Sequence, residues 1–93
     1  MKFAFFIMDT VQPKDQAAIH NGAAQIIGVT NLTEACEVAK QLYENGVACI
    51  ELCGAFGESG AKEIIHATKN KIPIGYITHL PEQDTIYQSA FSK

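Results

Sequence analysis

The sequence predicts an α/β fold, a small parallel sheet of about four strands, and three observations carry that prediction. Apolar runs of strand length alternate with amphipathic stretches of helix length. The first run, residues 2–8, is apolar almost throughout, as a strand buried on both faces is. The resulting order, βαβαβαβ, is the one that right-handed crossovers assemble into a parallel sheet with helices covering it. The 93 residues form a single α/β domain, 1–93. A chain of that size buries only roughly 60–65% of its unfolded surface. Completion of a flavodoxin-like or half-barrel-like sheet by dimerisation is therefore expected.

The elements follow in order. Lys2 and Asp9 bound the first strand. Residues 10–22 read either as a short helix starting near Pro13 and stopping before Gly22 or as a plain loop. Residues 24–29 form the second strand, and Asn31 stands three positions before Glu34 in a capping box. Leu32, Ala35, Cys36, Ala39, Leu42 and Tyr43 then recur at helical spacing, and Asn45-Gly46 ends that helix.

Residues 47–53 form the third strand, whose period of two puts Val47, Cys49, Glu51 and Cys53 on one face. A helix from about Ser59 to Lys69 buries Ala61, Ile64, Ile65 and Thr68. Residues 72–78 form a fourth strand, with Pro73 where a missing N–H is tolerated. Residues 80–93 read as a C-terminal helix, with Ile86, Tyr87, Ala90 and Phe91 on one face, or as an extended arm reaching a second subunit.

Composition excludes several functions. The net charge is −3 with only 7 basic residues and no cluster longer than Lys69-Asn70-Lys71, so the electrostatic footprint of a nucleic-acid binder is missing. The apolar run ending at Met8 is too short for a signal peptide core or a membrane span. Three cysteines, at 36, 49 and 53, match neither a disulfide framework nor a zinc signature, which fits a reducing, cytoplasmic setting. Cys36 and Cys49 read as core residues. No metal site and no cofactor is expected: His20 and His66 have no partner at ligand spacing, and His79 reads as a loop histidine or ligand contact.

In a parallel α/β sheet, ligands gather at the carboxyl ends of the strands, where helix N-termini present unpaired N–H groups. This rule selects Asp9, Thr10, Thr30, Asn31, Glu51, Cys53, Gly54, Phe56, Gly57, Ser59, Thr78 and His79. Gly54, Gly57, Gly60 and Ser59 make either an anion cradle or a tight turn with Ser59 as N-cap. Glu51, a carboxylate inside an apolar strand, requires a partner; it is a general base, a ligand contact or a structural acid. Cys53 is a semi-buried thiol, or a nucleophile if His79 serves as its base. Phe56 is a lid over a pocket or a plug into a partner subunit.

The stretch GVACIELCGAFGESGAKEI, preceded by the 33–46 helix and followed by KIPIGYIT, resembles a family of small microbial α/β proteins of unknown function. The resemblance spans Ile26 to Thr78 and implies a shared fold and loop, with no activity to carry over. A looser likeness links the strand and its glycine loop to the β-loop-α units of TIM barrels. Three readings follow. In the first, the protein binds a small polar or anionic molecule at the strand ends; in the second, it is a non-catalytic homo-oligomeric module; in the third, it is a thiol enzyme using Cys53 and His79.

Overall fold

The computed structural model describes residues 1–11 and 15–91. Five strands form one sheet: β1 (Phe3–Met8), β2 (Gln16–Ile19), β3 (Ala24–Val29), β4 (Cys49–Leu52) and β5 (Ile74–Tyr76). Their order is β2-β3-β1-β4-β5, with β3, β1, β4 and β5 parallel and β2 antiparallel to β3. Three helices accompany them: α1 (Leu32–Glu44), α2 (Gly57–Ala67) and α3 (Asp84–Phe91).

The sheet is thus mixed, and the purely parallel four-strand expectation is corrected at residues 16–22. Pro13 lies outside the described residues, but the segment expected to end a helix before Gly22 is the edge strand β2 and a tight reversal. Ala17, Ala18 and Ile19 pair with Ile26, Gln25 and Ala24. The turn is built from three successive residues with left-handed backbone, His20, Asn21 and Gly22, a conformation that Asn and Gly accept at low cost. A run of small residues that could serve either structure is decided by the free edge of β3 beside it.

Both crossovers, β3-α1-β4 and β4-α2-β5, advance across the sheet in the same direction. With right-handed connections, that places α1 and α2 on the same face. The side chains agree: Ala4, Phe6, Ile27, Val29, Ile50 and Leu52 are buried in one cluster with Ala35, Ala39 and Ile64 of the helices. α1 and α2 therefore cover one face and, among the described residues, leave the other largely bare. There, register aligns Ala17, Ile26, Phe5, Glu51 and Gly75 in one row and Ile19, Ala24, Phe3 and Cys49 in the next.

Element ends differ from the sequence reading in ways the contacts explain. The Asn31 side chain caps α1 by accepting from the Glu34 N–H at 2.8 Å, while Glu34 reaches back to the Thr30 N–H at 2.7 Å, one residue beyond the cap. Gly46 has a positive φ after α1, as the Asn-Gly signal requires. β4 and β5 are shorter than residues 47–53 and 72–78. α2 starts at Gly57 rather than Ser59, because Phe56 turns inward and the chain is already helical when it reaches Ser59. Residues 81–91 are a turn of 3-10 helix followed by α3, so the described part of the C-terminal segment is helical and not extended.

Candidate functional site

β1 lies in the middle of the sheet, and the chain leaves it toward β3 before crossing back over it to β4. The connections after β1 and after β4 therefore diverge, opening a crevice between the two strand ends. A cleft of about 1020 Å³ occupies this position. Its floor is Ile7, Met8, Asp9, Cys53 and Gly54, its side is the start of α2 and the end of β5, and α3 supplies the remaining wall through Tyr87, Gln88 and Phe91.

The two floor strands are joined across the cleft. The Met8 N–H donates to Cys53 Sγ at 3.3 Å, and the Cys53 N–H donates to the Phe6 carbonyl at 3.0 Å. Asp9 accepts from the N–H of the next residue, Thr10, at 2.7 Å, which holds its carboxylate at the rim. Gly57, whose φ is +64°, sets the turn into α2 where a Cβ would be strained.

His79 anchors the wall rather than the floor. Its Nε2 lies 2.7 Å from Asp84 Oδ1 at the start of α3, and its ring stacks on Tyr87 with centroids 3.9 Å apart and planes 11° apart. Tyr87 stacks in turn on Phe91 at 5.8 Å. The structure thus ties Cys53 to Met8 and His79 to Asp84 within one cleft, and among the described hydrogen bonds none links the thiol to the imidazole.

Of the residues chosen from sequence, Asp9, Cys53, Gly54, Gly57, Thr78 and His79 line this cleft. The others stand elsewhere. Thr30 donates its hydroxyl to the Val11 carbonyl at 2.8 Å and Asn31 is consumed as the α1 cap, both beyond the end of β3. Phe56 is neither lid nor plug: it is 4% exposed and packs 6.4 Å from Phe6 in the core. Ser59 is exposed on α2 and does not cap it. The loop is a tight turn, with Gly60 buried in the helix against the Phe56 side chain.

Glu51 is on the bare sheet face, one register row below the cleft. Its partner is the Cys49 thiol, which donates to Glu51 Oε1 at 3.4 Å, while Oε2 lies over Gly75 in space that a side chain there would fill. Burial chiefly, then the Glu51 hydrogen bond and charge, push the Cys49 thiol above its usual pKa. Cys49 is half-buried on the bare face, and Cys36 only packs against the core cluster. Of the two residues expected in the core, Cys36 is partly buried against it and Cys49 lies on the opposite face of the sheet.

The wall residues Tyr87 and Phe91, missed as site residues, are four apart on a helix, which is a signal of a shared face though not of its destination. Among the described residues, no group of three or more His, Cys, Asp or Glu side chains is gathered to hold a metal, and no helix is long and apolar enough to cross a membrane. One family matches residues 1–92 of the chain, and it is described as a family of unknown function, DUF6506. No curated protein and no solved structure matches it.

Proposed function

Given that the chain belongs to the DUF6506 family of unknown function, we propose that it binds a small, partly apolar molecule with polar substituents in the cleft between the ends of β1 and β4. The observation that carries this reading is the coincidence of the cleft with the topological switch point of the sheet. The lining refines the ligand class. Ile7, Met8, Ile77, Tyr87 and Phe91 supply apolar and aromatic surface, and Asp9, Thr78, His79 and Gln88 supply polar contacts. Among the described residues, Asp9 and Glu58 line the cleft and no lysine does, which favours a neutral or cationic molecule over an anion. The three free cysteines support a reducing, cytoplasmic setting.

A thermal-shift screen with a panel of polar metabolites tests the reading. A compound that binds only the folded state raises the melting temperature. Tyr87→Ala, which removes the aromatic wall, and Ala55→Trp, which crowds the mouth from an exposed position, are expected to abolish the rise. Glu51→Gln is expected to retain it, since Glu51 lies outside the cleft. A rise that survives both cleft variants, or that is lost with Glu51→Gln, refutes this location.

A further inference from the structure

We infer that the bare sheet face is the seat of a second copy of this chain, packed sheet on sheet, with α3 of each copy closing the rim. This goes beyond ligand binding and does not rest on it. The central row of the face is Ala17, Ile26, Phe5, Glu51 and Gly75, and the next is Ile19, Ala24, Phe3 and Cys49. Ile19 is 73% exposed, Ile26 54% and Phe3 39%. Parallel strands apolar on both sides are stable only with both faces covered. Here the chain itself places Val11 over Gly28 at one corner and packs both of its long helices on the opposite face.

α3 has the complementary need. A helix of eight residues is marginal in water without tertiary packing. Its main packing within the chain is on the preceding 3-10 turn and through the stack of Tyr87 on His79, while Ile86 is 61% and Phe91 77% exposed and Leu80, in its lead-in, 64%. Among the described residues, one chain thus displays an apolar sheet face and an apolar helical stripe, neither of them fully covered by the rest of the chain.

A second copy fits better than any charged partner. The two rows carry one carboxylate, Glu51, and no Lys or His, so among the described residues these rows offer no cations for nucleic acid, an acidic peptide or an anionic membrane. A flat apolar sheet is complementary to itself at the usual ~10 Å sheet spacing. Five strands at ~4.8 Å with a length of ~17 Å give about 400 Å² in projection. Side-chain relief and the α3 stripe raise this toward the roughly 600–1,000 Å² per partner of a specific interface. A two-fold axis parallel to β1 sets β4 of each copy over β3 of the other, which keeps the two Glu51 carboxylates from facing each other.

Sedimentation of the full chain tests the inference, and a dimer is expected. Ile26→Glu and Ala17→Glu alter exposed positions, so each variant is expected to keep the wild-type circular dichroism spectrum. In the arrangement above each new carboxylate is buried beside Glu51 of the other copy, and this like-charge contact is expected to weaken dimerisation at least about 100-fold. Gln41→Lys, exposed on α1 away from the face, is expected to leave the dimer intact. A wild-type monomer at the highest soluble concentration overturns the inference, as does a dimer that persists undiminished in a folded Ile26→Glu or Ala17→Glu variant. If one of the two fails to fold, the other decides.

Discussion

The Met8 N–H donates to Cys53 Sγ across 3.3 Å, joining the last residue of β1 to the residue just past β4 at the point where the two connections diverge. The thiol takes the place of the backbone carbonyl that would continue the parallel ladder. Cys53→Ala removes this acceptor and is expected to destabilise the fold by about 1 kcal/mol, the usual net worth of one hydrogen bond. Cys53→Ser, which keeps an acceptor, is expected to lose less. Urea denaturation of the two variants checks the difference; equal losses would remove the hydrogen bond from the account.

Glu51 and Gly75 face each other across β4 and β5, and the carboxylate occupies the space of the missing side chain. Gly75→Ala is expected to displace the carboxylate and break its bond from Cys49. The cost should be modest, about 1 kcal/mol, because the far end of a flexible side chain can swing toward the bare face. In a Glu51→Ala background the same change should be nearly neutral, so a double-mutant cycle in denaturant reads the coupling. An additive pair would refute the contact.

Phe56 packs on Phe6 beneath the turn into α2. Phe56→Ala is expected to cost about 3–5 kcal/mol, as loss of a buried aromatic side chain does, which is a large share of a small domain's stability. A lid residue would instead change ligand response with little change in the midpoint of thermal unfolding. The measured melting temperature separates these outcomes.

The Cys49 thiol titrates above its usual value because it is buried first and hydrogen-bonded to Glu51 second. The raised folded pKa means that the native state holds the proton longer than the unfolded chain. Its contribution to stability is therefore complete below the unfolded thiol pKa and lost as pH rises through the folded one. Alkylation of Cys49 by iodoacetamide, followed by peptide mass spectrometry, is expected to be several-fold slower near neutral pH than that of an unstructured thiol. Glu51→Gln should speed it. Labelling of Cys49 as fast as that of a denatured control would contradict the assignment.

Much of the fold was legible because its signals are local. The apolar run at 3–8, the Asn31 and Glu34 cap and the Asn45-Gly46 stop each act through neighbours in sequence, and each stands where periodicity and capping place it. Residues 16–19 were not legible, since a short run of small side chains takes the structure of whatever edge lies beside it. Phe56 was misplaced for a related reason: beside glycines an aromatic ring can turn outward or inward, and only the room beneath Gly60 decides.

What the sequence determined by itself is the α/β class and the strand ends where a site can form, because hydrophobic period and glycine turns fix element type and polarity. It also singled out Glu51 as an acid in need of a partner. Tertiary structure alone decided that the partner is Cys49 on a bare face, and that Asp9, Cys53 and His79 meet in one cleft while Thr30, Asn31 and Ser59 do not. The physical reason is that which strand ends adjoin, and which face two same-handed crossovers leave uncovered, depend on strand order, a property of long-range pairing that no local pattern encodes.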